Sequence, residues 1–332
     1  MTVQDFHQLF DKMSSLHVAV VGDVMLDNYW WGNVDRISPE APVPVVALNK
    51  KESRLGGAAN VALNCIALGA KVSLASVVGA DQDGDLLIDL AQKAGIDTSC
   101  IMKSEHRPTT TKVRIIARNQ HMLRIDDEST NDLNTEEEHP FIDTVLRFLQ
   151  IQKPDVLIFE DYNKGVLKEN VIHRITEHCK HLGIVTAVDP KKKNFLSFKN
   201  VDIFKPNLKE VREGLNIAIE QVNANELSEA HQHLADKLNH KVTFITLSEK
   251  GVFYASPEKT AVIPCHIRNI ADVSGAGDTV IATASLVYSI TKNSHLMAEI
   301  SNLAGGLVCE EVGVVSINKQ KLLTECVALL SR

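Results

Sequence analysis

The chain has 332 residues, 44% of them hydrophobic and 23% charged, and its 35 Lys and Arg against 42 Asp and Glu give a formal net charge of −7. That length allows one large domain with an appendage and a sizeable buried core, and the acidic balance speaks against a dedicated nucleic-acid binder, which shows a basic face. The six cysteines (Cys65, Cys100, Cys179, Cys265, Cys309, Cys326) form no C-x-x-C pair, which excludes the common zinc and disulfide frameworks and fits reduced thiols in a cytoplasm.

In chain order, residues 1–15 mix acids with apolar residues and lack a basic region followed by an apolar stretch, so no signal peptide is expected. No run of 18 apolar residues occurs, so no membrane span is expected either. The short β-branched runs Val18–Val21, Val72–Val78, Val156–Phe159, Ile184–Val188, Ile203–Phe204 and Val242–Leu247 read as strands buried on both faces. Helical periodicity fills the gaps at Ala58–Leu68, Asp83–Ala94, Thr135–Gln150, Lys168–His181 and Glu226–Leu238. This alternation predicts a doubly wound α/β fold with a mostly parallel sheet flanked by helices, and a mainly helical C-terminal third after Gly275. Two segments break the pattern. Tyr29–Leu48 is rich in Trp, Pro and Val, and Thr109–Asp126 alternates polar with apolar residues. Together they predict a small antiparallel sheet standing off the single domain (residues 1–332) as a lid.

The chemistry concentrates in a few stretches. Asp272-Val-Ser-Gly-Ala-Gly-Asp278-Thr279 precedes an apolar run, Val280–Ile290, that reads as a helix. Gly275, Ala276 and Gly277 offer backbone amides to one anion at an electropositive helix N-terminus. Asp278 beside them is placed to accept a hydroxyl proton, which is what phosphoryl transfer to an alcohol requires. A tight turn with Asp278 as N-cap is the bland alternative. Gly56 and Gly57 open a small-residue helix where a ligand or a backbone can come close, and Asn60 suits sugar hydroxyls. Plain helix–sheet packing explains the same glycines. Asn207 and Glu210 share a helix face and can orient water around magnesium, or simply form a capping box.

Asp23 and Asp27 follow the first strand, where ligands bind in open α/β sheets, or they belong to a polar loop. Lys112, Arg114 and Arg118 share parity on a strand that also carries Asn119 and Arg124, and suit a sugar phosphate or a solvated edge. Asp161 and Lys164 follow the strand Val156–Phe159, and Ser248 and Gly251 make a tight turn after Val242–Leu247. Neither G-x-x-x-x-G-K-[ST] nor G-x-G-x-x-G occurs, which counts against a Walker-type site and a nicotinamide dehydrogenase.

Taken together these motifs resemble the PfkB family of ribokinase-like carbohydrate kinases over roughly residues 15–330. Residues 56–62 are similar to its N-terminal signature. Residues 272–279 are similar to its C-terminal signature, D-[TS]-x-G-A-G-D, with Val273 in place of Thr or Ser. Asn207 and Glu210 match its N-x-x-E motif. The stretches 22–27, 30–32, 36–45, 118–120 and 161–165 resemble, more closely, the members acting on D-glycero-β-D-manno-heptose 7-phosphate.

The resemblance implies ATP and Mg2+ as cofactors, with a monovalent cation such as K+ used by some members. It implies Asp278 as base with Gly275, Ala276 and Gly277, and Asn207, Glu210, Ser248, Gly251 and Asn302 at the nucleotide, with Glu210 reaching magnesium through water. It further implies Asp23, Asp27, Arg36, Gly56, Gly57, Asn60, Lys112, Arg114, Arg118, Asp161 and Lys164 at the sugar phosphate. A homodimer through the lid, no nucleic-acid or membrane partner, and a separate adenylyltransferase and phosphatase in the same synthesis complete the expectation. No H-x-G-H motif occurs, so the kinase-only form is expected.

Overall fold

The computed structural model describes residues 1–118 and 120–331, so Asn119 lies outside the described residues. Thirteen strands are described: β1 (His17–Gly22), β2 (Val24–Ile37), β3 (Pro44–Gly57), β4 (Lys71–Gly79), β5 (Asp97–Ser104), β6 (Thr111–Ala117), β7 (Gln120–Asp127), β8 (Val156–Glu160), β9 (Val185–Asp189), β10 (Ile203–Phe204), β11 (Val242–Thr246), β12 (Val252–Ala255) and β13 (Thr260–Ile263). The helices are α1 (Val3–Met13), α2 (Ala58–Ala67), α3 (Gln82–Lys93), α4 (Thr135–Gln152), α5 (Glu169–Leu182), α6 (Leu208–Leu215), α7 (Ala224–Leu238), α8 (Ala276–Thr291), α9 (Ser294–Val308) and α10 (Lys319–Leu330).

Nine strands form one sheet in the order β13-β12-β11-β10-β9-β8-β1-β4-β5. Its seven strands from β11 to β5 run parallel, and β12 and β13 close one edge antiparallel. Alternate side chains of each strand enter opposite cores, as the period of two demands. Val18 and Val20 of β1 pack into a core with α1, α2 and α8–α10, while Ala19 and Val21 face one built with α4, α5 and α7. That two-sided burial explains why these strands are continuous apolar runs.

The remaining strands form a second sheet, β3-β2-β6-β7. It differs from the expected lid in two respects. It begins at Val24 and ends at Gly57 on one side, well beyond 29–48, because β2 leaves β1 after a single residue and β3 runs straight into α2. Its central pair, β2 with β6, is parallel rather than antiparallel. The reason is topological: β1 and β5 are parallel, and their continuations leave the same end of the main sheet in the same direction. Hairpin partners β3 and β7 then flank the pair antiparallel.

Candidate active site

The carboxyl ends of the parallel strands define one edge, and the chain places its buried acids there. Glu160 closes β8, Asp189 closes β9, and Lys205 follows β10. Opposite them, α8 begins at Gly275, whose φ of 79° places it in the left-handed region that glycine tolerates. A Cβ there would lie 3.1 Å from Asn60 Nδ2.

Asp278 sits in the first turn of α8, two residues beyond Ala276, and is not its N-cap. This sets aside the capping alternative. No side chain caps α8, and the Ala276 amide bonds the Val273 carbonyl at 3.3 Å. Of the three amides expected to face an anion, that of Ala276 is therefore already engaged. A Cβ on Gly277 would lie 3.6 Å from Asp189 Oδ2 and 3.9 Å from Lys205 Nζ, so this residue faces the acids and the lysine directly.

Both oxygens of Asp278 are held. Asn60 Nδ2 donates to Oδ2 at 2.6 Å, and the Tyr162 hydroxyl donates to Oδ1 at 3.0 Å. The amide expected for a sugar hydroxyl thus goes to Asp278. Burial pushes the Asp278 carboxyl up to about 6, only partly opposed by these two donors. Burial also holds the Tyr162 hydroxyl well above its ordinary range, so it stays a proton donor.

Asp189 receives Lys205 Nζ at 2.8 Å and Lys191 Nζ at 3.1 Å, and Lys191 also reaches Glu210 Oε1 at 2.7 Å. Burial would raise Asp189, but the two ammonium groups bring it below the usual carboxylate range. Lys191 is raised, its own burial outweighed by Asp189 and Glu210. Asn207 and Glu210 form the capping box read in the sequence: Asn207 Oδ1 accepts from Glu210 N at 2.9 Å, and Glu210 Oε2 accepts from Asn207 N at 2.7 Å. Both Glu210 oxygens are therefore engaged, each keeping a further lone pair that can accept from a magnesium-bound water. Ser248 and Gly251 lie in the turn after β11, Ser248 exposed and in the left-handed region at φ 54°. Asn302 Nδ2 donates to the Pro264 carbonyl at 2.9 Å, bracing the segment that leads to Gly275.

Several acids expected at the sugar serve the backbone. Asp23 accepts the amides of Tyr162 (2.8 Å), Lys164 (3.0 Å) and Val166 (3.1 Å), and its own carbonyl accepts the Ala58 amide at 2.9 Å. Asp161 Oδ1 accepts the Asn163 amide at 2.8 Å, and burial with nearby Asp23 pushes this carboxyl up to about 7. Gly56 leaves room for Asp27, whose Oδ2 would lie 2.3 Å from a Cβ there, and Gly57 has φ 61° against the Asp23 carbonyl.

The basic row is matched by acids. Arg114 pairs with Asp27 at 2.6 Å, Lys112 with Glu128 at 2.9 Å and Asp126 at 3.1 Å, and Lys164 with Glu128 at 2.6 Å. Arg118 does not share the strand face with Lys112 and Arg114. It lies past the end of β6 at φ 50° and donates to the Val34 carbonyl at 2.9 Å. Arg36 is exposed on β2, about 30 Å of strand away from Asp27 at the usual rise per residue, so one chain does not bring it to Asp278. Tyr162, Asp189 and Lys191 had no role assigned from the sequence. Asp189 carried a readable signal, an acid at the carboxyl end of a strand.

A mostly parallel sheet flanked by helices, with a small second sheet and a buried carboxylate at a glycine-opened helix, is the ribokinase-like fold. The chain matches the family model described as pfkB family carbohydrate kinase over residues 15–321. It is 38% identical over 303 residues to the bifunctional protein HldE of Campylobacter curvus, covering 91% of this chain and 63% of that protein. It is 39% identical over 310 residues to the bifunctional protein HldE of Magnetococcus marinus, covering 92% and 63%. The chain thus spans under two thirds of the length of these relatives. Among solved structures it is similar to phosphofructokinase-2 from Escherichia coli in complex with potassium (TM-score 0.79, 17% identity, 96% of this chain and 100% of that one). It is also similar to Arabidopsis thaliana ribokinase complexed with ribose and ATP (TM-score 0.71, 16% identity, 93% and 98%). The chain belongs to the pfkB family of carbohydrate kinases.

Proposed function

We propose that this chain transfers the γ-phosphoryl group of ATP to the C1 hydroxyl of D-glycero-β-D-manno-heptose 7-phosphate, in the synthesis of an ADP-heptose precursor of lipopolysaccharide. The observation that carries the reading is Asp278, a buried carboxylate at a helix N-terminus, fixed by Asn60 and Tyr162. The choice of sugar rests on the lid and loop sequences and on the similarity to the bifunctional HldE proteins.

Asp278 takes the proton of the attacking hydroxyl. Its carboxyl at about 6 is ionised at neutral pH yet basic enough to accept. Gly277 and the open first turn of α8 face the transferring group with amides. Lys205 and Lys191 supply positive charge beside it. Asn207, Glu210, Ser248, Gly251 and Asn302 line the nucleotide side. Magnesium, when bound, offsets charge on the ATP phosphates, with Glu210 reaching it through water. The sugar phosphate exchanges for Glu128 between Lys112 and Lys164. Closure of the lid excludes water. The exposed apolar residues Ile37, Leu48, Leu123 and Ile125 of the lid support a homodimer through it.

The test is ADP release with magnesium-ATP against heptose 7-phosphate, fructose 6-phosphate, ribose and adenosine. Turnover on heptose 7-phosphate alone is expected, and turnover only on another sugar would overturn the substrate assignment. Asp278→Asn should lower turnover by roughly 10²–10⁴-fold with ATP binding retained. Near-normal turnover would remove Asp278 as the base.

A further inference from the structure

The amino ends of the parallel strands form the sheet edge opposite the active site. A cleft of about 380 Å³ opens there, where β9, β10 and β11 begin. Its walls come from α5, from the turns that lead into these strands and from the end of α8. Thr176 of α5 borders it. That residue is 3% exposed, and its hydroxyl has no hydrogen-bond partner. A helical threonine can return its hydroxyl to the carbonyl four residues back, as Thr283 does to Thr279 at 2.8 Å. A buried hydroxyl left unpaired is costly, so the free Thr176 hydroxyl calls for a partner from the cleft.

We propose that this cleft binds the phosphate group of a small molecule, at a site separate from the kinase reaction. Three lysines line it, Lys180, Lys241 and Lys292, against one carboxylate, Asp202. Asp202 is already engaged. Its Oδ1 takes Lys241 Nζ at 2.6 Å, and its Oδ2 takes the Thr186 amide at 2.8 Å and the Thr186 hydroxyl at 3.1 Å. Among the described residues no carboxylate pairs with Lys180 or Lys292. The lining therefore carries two positive charges in excess, which a phosphate dianion matches.

Lysines also complement the carbonyls at helix C-termini, and α5 and α8 both end at the cleft. Two observations go beyond that role. Lys292 Nζ stands over the Tyr288 ring at 5.4 Å, and burial with Lys241 beside it lowers its ammonium, which an anion in the cleft would reverse. The Thr176 hydroxyl adds a neutral donor to the lysines, and phosphate oxygens accept from both. Asp278 and Lys292 lie near opposite ends of α8, about 20 Å apart at the usual helical rise, so a ligand here leaves the active site open.

The experiment labels the protein with pyridoxal 5′-phosphate, whose aldehyde condenses with an uncharged lysine amine and releases water. Borohydride reduces the imine to a stable secondary amine, and peptide mapping locates it. Lys292 should label about tenfold faster than Lys12, which is exposed on α1. Inorganic phosphate and glycerol 3-phosphate should each protect Lys292, and sodium chloride at equal ionic strength should not. Stronger protection by glycerol 3-phosphate identifies a phosphorylated metabolite and equal protection a free phosphate ion, and either supports the site. Thr176→Val removes only the hydroxyl and should melt at or above wild type, while phosphate protects its Lys292 about tenfold more weakly. The proposal is overturned if Lys292 labels no faster than Lys12, if phosphate protects no better than chloride, or if Thr176→Val is protected as wild type is. No sugar or ATP is present, so failure on the sugar panel would leave this result standing, and the reverse holds too.

Discussion

Replacing Asp278 by Asn should make the protein more stable above neutral pH while removing its activity. Raising the carboxyl from 3.8 to about 6 corresponds to about 3 kcal/mol against the ionised form in the fold. The sign follows from proton counts. Below about pH 4 the group is protonated in both states and contributes nothing. Between about pH 4 and 6 the folded state keeps a proton that the unfolded chain has released, so wild-type stability falls as pH rises. Above pH 6 the full penalty stands.

Asn does not titrate, so the variant escapes the penalty. It has one carbonyl oxygen for two donors, and the Asn60 amide must turn to meet its new NH2 group, which takes back part of the gain. The expected excess stability of Asp278→Asn is about 1–3 kcal/mol at pH 8, falling by about 1.4 kcal/mol on going to pH 5 as the wild-type penalty halves. Urea unfolding in EDTA at pH 5, 6, 7 and 8 measures it. A difference independent of pH, or a variant that loses ground as pH rises, would refute a base strained by burial.

Tyr162→Phe removes a donor that lowers the Asp278 carboxyl, so the acid limb of kcat/KM should move to higher pH, and an unmoved limb would detach Tyr162 from the base. Asp23→Ala strips the acceptor from the amides of Tyr162, Lys164 and Val166 and should destabilise the protein by about 3 kcal/mol or more, seen as a fall in Tm. Gly275→Ala places a Cβ at φ 79° and 3.1 Å from Asn60 Nδ2, which should cost about 1–2 kcal/mol and reduce turnover by displacing Asn60 from Asp278. Unchanged turnover with a lowered Tm would confine Gly275 to folding.

The parallel strands were legible because burial on both faces leaves continuous apolar runs, as in Val156–Phe159. Strand Asp97–Ser104 escaped notice because it lies at the sheet edge and mixes polar with apolar residues. The hairpin Val252–Ala255 and Thr260–Ile263 forms the other edge, and the amphipathic helix Val3–Met13 was read only for what it lacks. Within the site, Asp278 and its glycines are contiguous and could be read as one motif. The capping box of Asn207 and Glu210 is local in the same way. Asp278's contacts with Asn60 and Tyr162 span 218 and 116 residues, and no spacing rule reaches that far. The basic row failed as a set because a parity argument assumes that the strand continues, and the chain turns at Arg118.

Asp23 is the single residue between β1 and β2. Its carboxylate grips the loop that carries Tyr162, and its carbonyl grips the first turn of the helix that carries Asn60. Both hands that hold Asp278 are therefore tied to the one residue that joins the main sheet to the second sheet. A tilt of β2 would act on both donors of Asp278 in the same stroke.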